Sequence, residues 1–260
     1  MPHELDFLRR RFDLNMPTNS CSGGKMSRLS GRIALITGAS RGIGAAVAKK
    51  FAAEGAHVLL IARTVGGLEE VDDEIRKAGG NAATLLPFDL AEVERLDMLG
   101  HAIYERFGRL DIFVGNAAIL GGLSPVAHSD PKQWDRALRI NVTANYRLIR
   151  TLDPLLRASD AGRAIFVTSS AAREAHPYWA PYSVTKAAME MMALTYAAEM
   201  ATTSVRVNLV DPGVVRTGMR TSAFPGEDPE SLPPPESVTG CFVELAASEC
   251  VRHGKIITAQ

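Results

Sequence analysis

Tyr182 and Lys186 stand four residues apart in the stretch Tyr182-Ser183-Val184-Thr185-Lys186. On a helix that spacing places both on one face, so the ammonium can act on the phenol. A free tyrosine keeps its proton to about pH 10, too high for acid–base work near neutrality, and a neighbouring cation lowers that value by favouring the phenolate. Upstream, the apolar run Ala164-Ile165-Phe166-Val167-Thr168 ends in Ser169-Ser170. At a strand end one of these hydroxyls faces the ligand crevice and can donate to a substrate oxygen. The chemistry this allows is proton transfer at a carbonyl or alcohol oxygen. A lone Tyr-x-x-x-Lys also arises by chance on helix surfaces, so the pattern needs a second signal.

That signal is Thr37-Gly38-Ala39-Ser40-Arg41-Gly42-Ile43-Gly44, which follows the apolar run Ile33-Ala34-Leu35-Ile36 and leads into Ala45-Ala46-Val47-Ala48. Read as strand, turn and helix, it is a phosphate-binding junction. Gly38 and Gly42 permit the turn and a close approach of backbone N–H groups, and Gly44 lets the helix pack on the strand. The helix N-terminus then offers unpaired donors and a positive dipole end to a pyrophosphate. An acidic residue about 20 positions later would hold the adenosine ribose hydroxyls of NAD. This chain has Ala62-Arg63-Thr64 there. With no carboxylate to repel a 2′-phosphate, and Arg63 able to pair with one, NADP(H) is expected over NAD(H). Arg41 in the glycine turn offers a second positive charge.

The two motifs, in this order, resemble the short-chain dehydrogenase/reductase family, and the likeness runs from about Met26 to the C-terminus. The resemblance implies a catalytic Ser-Tyr-Lys-Asn set. Its tyrosine and lysine match Tyr182 and Lys186. Its asparagine, which helps hold a water linking the lysine to solvent, matches Asn141, although a buried polar residue bonded to a neighbouring helix is the alternative. For the serine, the usual spacing of 13 before the tyrosine points to Ser169, whereas alignment on the strand end points to Ser170; Ser170 is the expected residue, because strand registers slip less than loop lengths do. The family's aspartate that contacts adenine matches Asp89, followed by Leu90, with an N-cap for the next helix as the competing reading. Asn116 and Ala117 match the segment that lies along the cofactor, with Gly115 and Ala118 as departures from the usual Asn-Asn-Ala-Gly. Pro212, Gly213, Val214 and Thr217 match the Pro-Gly-x-x-x-Thr that borders the nicotinamide and pyrophosphate. Ser40, Ile43, Tyr182 and Lys186 complete the expected cofactor contacts.

These residues must be positioned by the elements between them. Strand-like apolar runs near 33 to 37, 57 to 62, 82 to 87, 110 to 115, 163 to 169, 205 to 210 and 255 to 258 alternate with helix-length segments. The alternation predicts an α/β fold, a doubly wound, Rossmann-like parallel sheet of seven strands with helices on both faces, and every motif above falls at a strand's carboxyl end. Helices are expected near 42 to 54, 67 to 79, 92 to 107, 132 to 157, 181 to 202 and 235 to 248. Asn141 falls inside the fourth, where asparagine is a poor former by about 0.6 kcal/mol, a local misfit that invites a function. Residues 26 to 260 are expected to form one domain. Residues 1 to 25, with the cluster Arg9-Arg10-Arg11 and a Pro/Asn/Ser/Gly-rich run, read as a disordered extension.

Composition removes whole classes of function. Lys plus Arg equals Asp plus Glu at 29 each, so no net field draws nucleic acid or anionic membrane. No apolar run approaches the ~18 residues of a membrane span. Three cysteines, Cys21, Cys241 and Cys250, without Cys-x-x-Cys spacing indicate free thiols and a reducing, cytoplasmic setting. No histidine pair has zinc-ligand spacing, so no metal is expected. Three stretches, 119 to 124, 175 to 180 and 219 to 235, should roof a substrate pocket, with Leu120, His176, Tyr178, Trp179 and Phe224 making an apolar, partly aromatic wall. The expectation is an NADP(H)-dependent oxidoreductase that interconverts a neutral carbonyl compound and an alcohol, working as a homodimer or homotetramer. The alternatives are a non-catalytic dinucleotide sensor, a non-redox lyase or epimerase, and a 3-oxoacyl-type reductase within the same family.

Overall fold

The computed structural model describes residues 27–259. The extension expected over residues 1 to 25, with Cys21, lies outside them. Strands β1 (Ile33–Thr37), β2 (His57–Ala62), β3 (Thr84–Pro87), β4 (Ile112–Gly115), β5 (Arg163–Val167), β6 (Arg206–Asp211) and β7 (Ile256–Thr258) form one sheet in the order 3-2-1-4-5-6-7, parallel throughout. The helices are α1 (Gly42–Ala53), α2 (Val65–Lys77), α3 (Asp97–Phe107), α4 (Pro131–Ala137), α5 (Ala144–Arg157), α6 (Ala180–Met200), α7 (Gly218–Ala223) and α8 (Thr239–Ala246). This is the expected doubly wound plan, and the order of strands reverses between β1 and β4, where such folds open their ligand crevice.

The period of two in the strands decides which layer each side chain joins. Leu35, Leu59, Phe113, Phe166 and Leu209 pack on one side with α3, α5 and α6. Ile36, Leu60, Val114, Ile165 and Val210 pack on the other with α1, α2 and α8. Both faces are covered, so the strands can be apolar at every position, and β1, β4 and β5 are buried from end to end.

Three elements differ from the expectation. The helix expected over 132 to 157 is broken by a π-helical turn at Leu138–Thr143, which lies between α4 and α5 and contains Asn141. The segment after β6 carries a short helix, α7, started by Thr217, whose Oγ1 accepts from Arg220 N at 3.2 Å. The last helix begins at Thr239, because Pro233-Pro234-Pro235 leads into a 3-10 turn first.

Candidate active site

All the motifs meet at the carboxyl edge of the sheet. Gly38 and Gly42 have φ of 66° and 57°, the left-handed region that glycine enters without strain. Gly44 is held for a different reason, since a Cβ there would lie 2.3 Å from Gly38 O and 2.6 Å from Asn116 Nδ2. The turn is therefore closed down onto the end of β4. Thr37 locks the two together: its hydroxyl donates to Val114 O at 3.2 Å and accepts from Asn116 N at 3.0 Å and Ala117 N at 3.1 Å. Asn116 Nδ2 adds a bond to Thr37 O at 2.9 Å. Gly115 is required as well, because a side chain there would strike Phe166 and Asn145.

This cradle suits a dinucleotide. Arg41, at the N-cap of α1, makes no side-chain cap bond, and the first turn carries no acidic residue, so the helix donors and dipole are left for an anion. Gly42 faces the Thr217 methyl, which a Cβ there would meet at 3.5 Å. Ser40 packs against Gly67 at the start of α2. Arg63, at the end of β2, is exposed, as is Arg41, and among the described residues neither has an ion-pair partner. Asp89 Oδ1 accepts from Ala91 N at 2.9 Å, the local turn role set against the adenine contact. The Leu90 side chain is buried in the core, which leaves its backbone to face a ligand.

Helix α6 explains the placement of the acid–base pair. Its buried residues include the polar Tyr182, Thr185 and Lys186 near the start, continue through Met189 and Glu190, and end in the apolar Ala193, Tyr196, Ala197 and Met200, so the acid–base pair stands at the start of the face that docks on the sheet. Lys186 is 4% exposed, and its ammonium donates to Val167 O at 2.7 Å. Burial lowers its pKa to about 8, with Asp211 opposing. Its nitrogen lies 5.6 Å from the Tyr182 ring centroid. Tyr182 is 8% exposed. Burial pushes the phenol up to about 12, while a hydrogen bond from Ser169 pulls it down and Asp211 pushes it up. The sequence anticipates a lowered phenol; in the structure burial outweighs the lowering contribution of Ser169.

The serine differs from the expectation too. Ser169 is the serine that acts on the Tyr182 phenol, favouring its ionised form, and its hydroxyl accepts from Ala171 N at 3.3 Å. Ser170 is exposed and starts the 3-10 turn Ser170–Ala172. The reason is that β5 ends at Val167, two residues before the strand end assumed from the apolar run.

Asn141 lies beside this group and uses its whole amide on protein. Its Oδ1 accepts from Ile119 N at 2.9 Å, and its Nδ2 donates to Ile119 O and to Thr185 Oγ1, both at 2.9 Å. Thr185 in turn donates to Tyr182 O at 2.8 Å. The π-helical turn makes this reach possible, and such turns recur at functional sites. Thr37 and Thr185 were missed as site residues. Both sit inside quoted motifs, and only the partners of their hydroxyls reveal the role.

The three roofing stretches come together. Ser124 N donates to Tyr178 O at 3.0 Å. Trp179 packs edge-on against Tyr182, with ring centroids 5.8 Å apart, and against Phe224 at 5.7 Å. His176 completes the row at 5.9 Å from Trp179. Arg220 stacks on Phe224 at 3.7 Å and is fixed there by Glu227.

Comparison with known proteins agrees with this geometry. The short chain dehydrogenase family pattern matches residues 32–228. The chain belongs to the short-chain dehydrogenase/reductase family. It is an oxidoreductase of that family, and the similar proteins cover most of its length. One is the oxidoreductase YciK of Escherichia coli K12, 36% identical over 230 residues, 88% of this chain and 91% of that protein. A solved short chain dehydrogenase from Shigella flexneri 2a, complexed with NADP, is 36% identical, with a TM-score of 0.87 over 91% of this chain and 100% of the other. A third is the benzil reductase, (S)-benzoin forming, of Saccharomyces cerevisiae, 31% identical over 78% of this chain and 79% of that protein. Among the described residues no helix is long and apolar enough to cross a membrane.

Proposed function

We propose that this dehydrogenase/reductase uses NADP(H) to interconvert a neutral, apolar or aromatic ketone and its secondary alcohol. The observation that carries the reading is the buried Tyr182–Lys186 pair on one helix, with Ser169 acting on the phenol, standing beside a cradle fit for a dinucleotide. When bound, the nicotinamide supplies or accepts the hydride and, oxidised, brings a positive charge to the site. Gly38, Ser40, Arg41, Gly42, Ile43 and Gly44 hold the phosphates, Asn116 and Ala117 flank the ribose, and Pro212 to Thr217 border the nicotinamide. Arg41 and Arg63, free of carboxylate partners, favour a 2′-phosphate.

In the reduction direction Ser169 donates to the carbonyl oxygen and Tyr182 gives it a proton. Lys186 then stabilises the phenolate until it regains a proton from solvent. Ser169 takes the role expected of Ser170. Asn141 acts as a positioning residue that ties the Ile119 loop to α6 through Thr185. The row His176, Trp179 and Phe224 supports a flat apolar substrate, and the benzil reductase relative supports an aryl ketone within that class. The test is loss of NADPH absorbance across a panel of aryl, alicyclic and short aliphatic ketones. No turnover of any of them, nor of the alcohols with NADP, would refute the proposal.

A further inference from the structure

Beneath the acid–base pair lies a group of charges that the proposed mechanism does not use. Arg173, in the loop after Ser169, donates to Asp211 Oδ2 at 2.5 Å and lies 3.7 Å from Glu190 Oε2. Asp211 is the last residue of β6 and is 6% exposed; its other oxygen accepts from Gly213 N at 3.1 Å. Glu190 is one helical turn past Lys186 on α6, 8% exposed, and accepts from Thr168 Oγ1 at 2.7 Å. Two buried carboxylates therefore share one guanidinium. With Lys186 the group holds two cations and two anions, and its formal charge is zero.

We propose that Arg173 is a positioning residue whose charge, acting through Asp211, sets the proton affinity of Lys186 and Tyr182, and that the four-residue group works as a balanced whole. The proposal rests on the proton-transfer role given to Tyr182 above. Lys186 donates to Val167 O at the end of β5, and Val167 pairs with Val210, the residue before Asp211, so Asp211 stands at the adjoining strand end; its charge opposes loss of a proton from both members of the pair. Arg173 offsets that field at its source. The other groups facing the pair are Ser169 from the end of β5, and Asn141 with Thr185 behind α6, all uncharged. His176 stands one ring further away across Trp179, and Arg220 is neutralised by Glu227. Arg173 also joins three elements, the substrate loop, α6 and the strand end that leads into Pro212-Gly213, so a purely mechanical strut is the rival reading.

The two readings separate by sign. Removing the guanidinium, whose side chain is 40% exposed, with Arg173→Gln leaves a net negative charge and should raise the pKa of Lys186. Asp211→Asn removes the opposite charge and should lower it. The double variant restores the balance and should return it toward the wild-type value, and Arg173→Lys, which keeps the charge, should leave it in place. The measurement is the carbon-13 titration of the lysine side chain in the cofactor-free protein, assigned by the signal lost in Lys186→Ala. In parallel, the acid limb of kcat/KM for alcohol oxidation should move up in Arg173→Gln and down in Asp211→Asn. A titration unchanged in both single variants, shifts of the same sign in both, or a shift in Arg173→Lys as large as in Arg173→Gln overturns the proposal. If Arg173→Gln fails to fold, the comparison of Asp211→Asn with the double variant decides, and equal lysine titrations in those two overturn the proposal. Absence of wild-type turnover would refute the proposed function instead, and the lysine titration would still report on the charge group.

Discussion

Gly44→Ala tests the cradle most directly, because its effect can be worked from the packing alone. Gly44 is a helical position, where alanine is better than glycine by about 1 kcal/mol. Its backbone therefore raises no objection. The new methyl carbon, however, would stand 2.3 Å from Gly38 O, and roughly 0.7 Å of movement is needed to reach even 3.0 Å. The obstacle is backbone, held by the Thr37 and Asn116 bonds, so it cannot swing aside. Overpacking of this kind costs about 1–3 kcal/mol. Set against the helical gain, a net loss of up to about 2 kcal/mol is expected, or a Tm lower by up to about 8 °C. Displacing Gly38 should also spoil about one charge-assisted hydrogen bond to the phosphates, weakening NADPH by roughly ten- to hundredfold. The assays are thermal melting and fluorescence titration with NADPH. Gly66→Ala is the control: nothing lies within 4 Å of its Cβ, so it should stabilise by about 0.4–1 kcal/mol. A Gly44→Ala protein that melts and binds NADPH like the wild type would refute the packing argument.

The other variants address the chemistry. Tyr182→Phe should lower turnover by about 10²- to 10⁴-fold while leaving NADPH affinity within a few-fold, measured by kinetics and titration; near-normal turnover would exclude proton transfer by this residue. Ser169→Ala should lower kcat by about 10²- to 10³-fold, as loss of an oxyanion donor does, whereas Ser170→Ala should stay close to the wild type. The reverse ranking would return the role to Ser170. Arg63→Ala should weaken NADPH by about 1.5–3 kcal/mol and hardly touch NADH, and equal losses for both would make Arg63 a surface charge only.

The fold was legible because its signals are periodic and local. Apolar runs of strand length, the glycine turn and the Tyr-x-x-x-Lys spacing each depend on neighbours in sequence, and their alternation points to the parallel, doubly wound sheet that is observed. What was not legible depends on residues far apart. Whether Ser169 or Ser170 meets Tyr182 is set by where β5 stops, and hydrophobicity carries on through Thr168 without marking that point. The π-helical turn around Asn141 is paid for by bonds to Ile119 and Thr185, 22 and 44 residues away. The raised phenol of Tyr182 reflects burial, which spacing does not report. Arg173, Asp211 and Glu190 belong to three separate elements, and no sequence motif unites them.

The Thr37 hydroxyl has a wider meaning. It is one atom bonded to the turn after β4 from the end of β1, across the line where the sheet changes direction. The two halves of the crevice therefore share a hinge pin and cannot loosen separately. In thermodynamic language the pin is a coupling term: a fragment that orders one half should bear the ordering cost for the other, so mononucleotide halves should bind with mutual, reciprocal cooperativity.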